Sequence, residues 1–401
     1  MAHDEAWRSL FIDRLQLSRK SLYIVIVLTA TLVVGGALVR SVLSGLVFAT
    51  VLGILGAIAF KNSRMRSGSL LIASLTISVL LLQLFQYFAF PPAMGSGLVR
   101  TVVPSDWLIS DEGLGYRPRP NSKAFARASW EASTIYDVTY TIDADGGRVT
   151  PRLSAGTETY LFIGDSFIFG EGLQDADTLA AQFANITNLG LNTAIFAAPG
   201  YAPNHLVRAM EVGLFNRFKS KNVQAVITWL IPAQLSRVVG EGAWLGSSPR
   251  YVLDHGMLRH TGTFHDRLWQ EPLSGIFDFA KEEIGFLKAI RSRQLEKEQA
   301  DLFLALVARL EVLTREYLGA QLVVVYTWPD QKIERSGPPV ATEVLQALRK
   351  FGEHHGLLMI HVDELTRNSD ETLLHIPHDG HPSAFTNRLV ADALKRHLTR
   401  P

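Results

Sequence analysis

A serine, a histidine and an aspartate stand in this chain in a pattern that permits nucleophilic catalysis. Ser166 ends the triplet Gly164-Asp165-Ser166, directly after the apolar run Tyr160-Leu161-Phe162-Ile163. A short aromatic and β-branched run ending in Gly-Asp-Ser reads as a strand entering a turn that presents a hydroxyl. Far downstream stands Asp379-Gly380-His381-Pro382. A serine hydroxyl is a weak nucleophile until a base within hydrogen-bond reach takes its proton. His381 is the candidate base, and Asp379 the carboxylate that would hold its tautomer. The chemistry this trio supports is acyl transfer from an ester. Asp165 reads as a turn-former bonding backbone amides. His375 and His378 read as loop residues, with metal binding as the other reading; no further His/Asp/Glu cluster at ligand spacing accompanies them, so neither metal nor cofactor is expected.

These residues need a scaffold that brings both ends of a long segment together. From about Gly156 onward, strand-like and helix-like stretches alternate. Candidate strands are Glu158–Ile163, Thr193–Ala197, Val223–Leu230, Leu322–Thr327 and Leu357–Val362. Candidate helices are Thr178–Ile186, Pro203–Phe218, Leu302–Leu318, Ala341–His354 and Ala384–Leu398. Such alternation predicts an α/β fold: a parallel sheet between two helical layers, with sites at the carboxyl ends of the strands. Ser166 falls at such an end.

The quoted motifs resemble the SGNH/GDSL hydrolase superfamily, over about residues 156–401, in its membrane-anchored bacterial form. The resemblance implies that Ser166 is the nucleophile and that its own amide donates to the oxyanion. It implies a second oxyanion amide at Gly200, in Ala198-Pro199-Gly200-Tyr201. It implies that Asp379 and His381 are the acid and base, here one residue apart rather than two. The stretch Pro382-Ser383-Ala384-Phe385-Thr386-Asn387 runs as in membrane-attached and polysaccharide-modifying relatives. The family's Gly-x-Asn-Asp block, whose asparagine donates to the oxyanion, has no counterpart in Thr228–Arg237. Gln234 is the candidate substitute there. Asn204 is another, although a role in the first turn of its own helix is the alternative.

The first 92 residues have a different character. Leu22–Val39, Val42–Phe60 and Ser69–Phe90 carry no charge. Each has about the length needed to cross roughly 30 Å of hydrocarbon, so three transmembrane helices are expected. Arg8, Arg14, Arg19 and Lys20 precede the first stretch, and Lys61, Arg64 and Arg66 lie between the second and third. Only Arg40 separates the first two, and Arg100 follows the third. By the positive-inside rule the N-terminus faces the cytoplasm and the C-terminal domain lies outside, in the periplasm of a multi-pass inner-membrane protein. The segment around Trp7, Leu10, Phe11 and Leu15 reads either as an interfacial amphipathic helix or as a frayed leader.

Composition narrows the function classes. The 401 residues carry 39 Lys and Arg against 38 Asp and Glu, which leaves no electrostatic footprint for nucleic acid. There is no cysteine, which excludes disulfides and thiol catalysis. The expected organisation is a membrane domain over 1–92, an extracytoplasmic spacer with a β-hairpin over 93–155, and the hydrolase-like domain over 156–401. Residues 237–299 form an insertion whose Trp244, Tyr251, His255, Trp269 and Phe277 are either a surface for sugar rings or a small packed subdomain. The expected activity is that of a serine esterase or O-acyltransferase on small, acetyl-type esters of envelope glycans. The partners are then the ester-bearing glycan and the lipid bilayer. The alternative is a non-catalytic tethered component of polysaccharide assembly or export.

Overall fold

The computed structural model describes residues 42–89, 97–131, 133–150, 157–187, 191–266, 293–328 and 339–399. The chain divides into two compact units, Met1–Met94 with Leu273–Arg291, and Gly95–Pro272 with Ser292–Pro401.

In the first unit, α1 (Val42–Ala59) and α2 (Ser63–Ala89) form a helical hairpin. They meet through small residues: a Cβ on Gly53 would lie 2.8 Å from the backbone of both Ala73 and Ser69. Ala57 and Ala73 are buried in that seam, while Ile58, Leu71 and Leu75 stay exposed. Close approach over small residues is how helices associate where no hydrophobic drive between them operates.

The structure gives no support to the expectation of three membrane spans. The first stretch, Leu22–Val39, lies outside the described residues. Among the described residues no helix is long and apolar enough to cross a membrane. In α2 the first turn carries Arg64 and Arg66.

The second unit opens with β1 (Leu98–Val103), β2 (Leu108–Asp111), β3 (Gly115–Pro118), β4 (Ser122–Trp130) and β5 (Ser133–Ile142). Strands β1, β4 and β5 make an antiparallel sheet in that order, and β2 pairs with β3. Along β4 the pattern is period-two, with Ala124, Ala126 and Ala128 buried. The expected turn at Asp143–Gly147 is present, closed by Asp143 N–H to Gly147 O at 2.8 Å. The long pairing, however, is between β4 and β5, upstream of it. This region packs against the α/β fold. Ala126, Tyr136, Tyr140 and Ile142 share a hydrophobic core with Phe162 and Phe169 of the α/β fold.

There follow β6 (Glu158–Gly164), α3 (Ser166–Phe169), α4 (Leu179–Thr187), β7 (Asn192–Ala197), α5 (Pro203–Glu211), β8 (Asn222–Leu230), α6 (Ala233–Arg237), β9 (Pro249–Asp254) and β10 (Met257–Thr263). Then come α7 (Arg293–Leu318), β11 (Gln321–Tyr326), α8 (Pro339–His355), β12 (Leu358–His361), α9 (Val362–Leu365), α10 (Glu371–Leu374) and α11 (Ala384–Leu398). Strands β12-β11-β8-β6-β7 form one parallel five-stranded sheet.

The strand sequences explain the layering. Along β6, Tyr160 and Phe162 enter one core while Leu161 and Ile163 enter the other. In β8, Ile227 and Trp229 face the first core, Val226 and Leu230 the second. Strands buried on both faces read as continuous apolar runs because helices cover both sides. Phe183 of α4 and Leu394 of α11 close the first core, together with the antiparallel sheet. Leu206 of α5, Phe303 of α7 and Leu348 of α8 close the second. The three-layer α/β/α arrangement expected of the sequence is therefore what these residues build. Strand order reverses between β6 and β8, and in open α/β sheets ligands bind beyond the carboxyl ends at that point. Ser166 follows β6 directly. Of the expected insertion, the described part holds the β9–β10 hairpin, and α7 begins at Arg293.

Candidate active site

Ser166 is placed by its neighbour. Asp165, fully buried, is the N-cap of α3: its Oδ1 accepts from the Phe167 amide at 3.0 Å. Its Oδ2 accepts from Gln234 Nε2 at 3.0 Å and Arg237 Nη1 at 2.8 Å, both from α6. The turn-forming role expected for Asp165 thus has a second half, an anchor to the helix after β8. Ser166, the first residue of α3, leaves its own amide without a hydrogen-bond partner among the described residues.

His381 reaches this serine from the far end of the fold. Ser383 caps α11, accepting from the Thr386 amide at 3.2 Å, which fixes the chain two residues after the histidine. Ile376 N–H donates to His381 O at 2.8 Å and closes the loop before it. Gly380 sits at φ +81 with no heavy atom near its Cβ position. That left-handed residue reverses the chain, so the side chains of Asp379 and His381 converge although only one residue separates them. His381 Nε2 lies 2.8 Å from Ser166 Oγ, and His381 Nδ1 bonds Asp379 Oδ1. An ionised Asp379 keeps the proton on Nδ1, leaving Nε2 to accept from the serine hydroxyl. The structure therefore brings Ser166, His381 and Asp379 into one chain of contacts.

Two residues outside the sequence-based set join it. Arg100 of β1 donates from Nε to Asp379 Oδ2 at 3.0 Å, and its Nη2 stands 3.0 Å from Oδ1. In the sequence Arg100 stands only as a charge following the third uncharged stretch. Glu171 Oε2 stands 3.6 Å from His381 Nε2, on the side facing the serine. Glu171 stands in the glycine-flanked segment Gly170-Glu171-Gly172, five residues after Ser166, where nothing in the spacing marks it as facing the base. The loop that carries it is held by buried Arg148, which donates to Phe169 O at 2.8 Å and pairs with Asp175 at 2.9 Å.

Charge follows this geometry. Burial alone would raise the Asp379 pKa, but hydrogen bonds from His381 and Arg100 outweigh it and hold it at about 2. Burial likewise works to lower the His381 pKa; the bond to Asp379 and the charges of Glu171 and Asp379 override it and raise it. Burial raises the Glu171 pKa against the pull of His381 and Arg100.

The oxyanion side is partly filled. Gly200, at φ +86, follows β7, and the Ala198 amide donates to Gly164 O at 3.3 Å, placing this turn beside the serine's strand end. The Gly200 amide, like that of Ser166, has no hydrogen-bond partner among the described residues. Tyr116 Oη and Trp244 Nε1 stand 2.6 and 2.9 Å from where a Cβ would sit on Gly200, so no side chain fits there. Gln234 does not serve as the substitute donor. Both protons of its Nε2 are engaged, by Asp165 Oδ2 and by Trp229 O at 3.1 Å. Asn204 donates to Pro249 O at 2.8 Å, tying α5 to β9. His378 stacks on Trp130 with ring centroids 4.2 Å apart, and among the described residues no group of His, Asp and Glu is placed to hold a metal.

No family model and no curated protein matches this chain. Among solved structures, the acetylxylan esterase Axe2 from Geobacillus stearothermophilus is similar, at 14% identity over 63% of this chain and 98% of that chain, with a TM-score of 0.36. A member of the lipolytic protein G-D-S-L family from Veillonella parvula aligns at 11% identity over 61% of this chain and 100% of that chain, also with a TM-score of 0.36. Both likenesses are distant, and the geometry of the site stands on its own distances.

Proposed function

We propose that the second unit is an SGNH-type serine esterase acting on small acyl esters, acetyl above all, carried by hydroxylated substrates such as envelope glycans. The observation that carries this reading is the contact chain from Ser166 Oγ through His381 to Asp379 at the carboxyl end of β6, the sheet's reversal point. Ser166 attacks the ester carbonyl while His381 Nε2 takes its proton. The free amides of Ser166 and Gly200 receive the oxyanion. His381 returns the proton to the departing alkoxide, leaving an acyl-Ser166 that water or an acceptor hydroxyl then releases. A fluorophosphonate probe on the detergent-solubilised chain tests the reading: label on Ser166, lost in Ser166→Ala, supports it. No label under conditions that modify a control esterase overturns it.

A second reading, a non-catalytic component of polysaccharide assembly, is favoured by one observation. Both protons of the Gln234 amide are spent on structural bonds and Asn204 donates to Pro249 O, so among the described residues no side-chain amide is seen to supply the third oxyanion donor. One such donor is worth about 100- to 1,000-fold in rate, which slows an esterase without removing its mechanism.

The N-terminal region is proposed to seat the chain in a bilayer with the catalytic unit outside. The uncharged stretches, the exposed Ile58, Leu71 and Leu75, and the small-residue seam of α1 and α2 support this. A periplasmic reporter fused after Pro401 should be active. Activity of a cytoplasmic reporter instead would reverse the orientation.

A further inference from the structure

Glu171 is a nearly enclosed carboxylate with no assigned work. Its side chain is 19% exposed, and no hydrogen bond to it occurs among the described residues; His381 Nε2 stands 3.6 Å from its Oε2. Its main chain is used, since the Glu171 amide donates to Ser166 O at 3.0 Å, so the loop does not need the side chain to close. A carboxylate in such a place needs a hydrogen-bond donor, and the two arginines around the site are engaged elsewhere. Arg100 is committed to Asp379, and Arg148 to the carbonyls of the loop. Two points 3.6 Å apart can share one neighbour at ordinary hydrogen-bond distance, so a single oxygen atom can reach both Nε2 and Oε2.

Resting on the esterase reading above, we propose that Glu171 and His381 Nε2 together bind the second nucleophile, the hydroxyl compound that takes the acyl group off Ser166. The step balances without any further reactant. The bound hydroxyl gives its proton to Nε2 as its oxygen bonds the acyl carbon. The bond from that carbon to Ser166 Oγ then breaks, and Oγ takes the proton from Nε2. The carboxylate of Glu171 accepts a second O–H throughout. This sets the substrate class. Water offers two O–H groups on one oxygen, and a vicinal diol, as on a sugar ring, offers two on neighbouring carbons. A simple alcohol such as methanol offers one, which Nε2 must take, and leaves Glu171 unpaired. An unpaired buried acceptor is costly, so the site favours water and vicinal diols over monohydric alcohols.

The experiment is stopped-flow and intact-mass analysis of the detergent-solubilised full chain with p-nitrophenyl acetate, comparing the parent with Glu171→Leu. Acylation should stay within about threefold of the parent while steady-state turnover falls at least about tenfold, so acetyl-Ser166 accumulates. In the parent, ethylene glycol should capture the acetyl group at least about fivefold better than methanol at equal concentration, and Glu171→Leu should erase that preference. Equal loss in both steps, or unchanged turnover, overturns the proposal, as does a parent enzyme indifferent between glycol and methanol. Fluorophosphonate labelling of Ser166 in the variant shows separately that the site is folded. A parent that never acylates overturns the esterase reading, and this proposal with it.

Discussion

Arg100 and Asp379, 279 positions apart in sequence, form a two-pronged contact: Nε to Oδ2 at 3.0 Å and Nη2 to Oδ1 at 3.0 Å. The Asp379 side chain is fully buried and that of Arg100 is 42% exposed, so the pair closes the base's carboxylate off from solvent on one side. An arginine fork fixes a carboxylate plane as well as its charge, and the plane fixes the imidazole. The arginine comes from the antiparallel sheet upstream of the α/β layers. That sheet thus supplies part of the site.

Arg100→Gln should act on the pH profile more than on stability. With its exposure, the ion pair itself is worth at most about 1 kcal/mol. Removing the cation leaves the Asp379 charge unopposed, which favours the imidazolium form of His381. The His381 pKa, already raised, rises further, and the base is neutral only at higher pH. The acidic limb of kcat/KM for a short-chain ester should therefore move to higher pH. A limb that stays in place would limit Arg100 to a structural role.

Ser166 and His381 should fail to add. Each single alanine variant should lower ester turnover by at least about 1,000-fold, and the double variant should be scarcely worse, because both act in one proton transfer. Asp379→Asn should be severe for a second reason. An amide facing Nδ1 can stabilise the wrong tautomer, putting the proton on Nε2, where the serine hydroxyl needs an acceptor. Steady-state rates of the purified full chain decide this. Losses that multiply in the double variant would mean the two residues work in separate steps.

The parallel sheet was legible because its strands are buried on both faces, and Leu161–Ile163 or Val323–Val325 leave little room for another reading. Ser166, Asp379 and His381 were legible because their chemistry sits in short local motifs. The residues that join them over distance were not. Arg100 sits on an exposed edge strand and looks like any surface cation. Glu171 looks like one more polar residue in a glycine-rich turn. Gln234 was assigned to the oxyanion from its position after β8; one turn of helix carries it instead to the buried carboxylate of Asp165. Alternation over alanines is a weak signal, so nothing in the sequence of the 93–155 region shows that Ala124, Ala126 and Ala128 enter the main core.

Gln234→Ala should separate these two roles for the glutamine. Its loss leaves Asp165 with Arg237 and the Phe167 amide, and removes one buried hydrogen bond to a charged group. A stability cost of about 1–3 kcal/mol is expected, read as a lower thermal midpoint. Turnover at a temperature where the variant is folded should fall far less than the 100-fold or more that an oxyanion donor commands. A normal midpoint with a 100-fold slower rate would return Gln234 to the oxyanion hole.

The boundary of the catalytic unit can be tested with two fragments. One begins at Gly95 and the other at Thr157, both running to Pro401. The first keeps β1 to β5. The second removes Ala124, Ala126, Ala128, Tyr136, Val138, Tyr140 and Ile142 from the core they share with Phe162, Phe169 and Ile376. Each large side chain lost from such a core forfeits about 1.5–3 kcal/mol of burial, and a domain's whole stability is only about 5–15 kcal/mol. The shorter fragment also loses Arg100, and with it the brace on Asp379. The fragment from Gly95 should therefore melt cooperatively and hydrolyse short-chain esters, while the fragment from Thr157 should aggregate or melt without a transition. A cooperative, active Thr157 fragment would show that the antiparallel sheet is dispensable and that the Arg100 contact does not hold the site together.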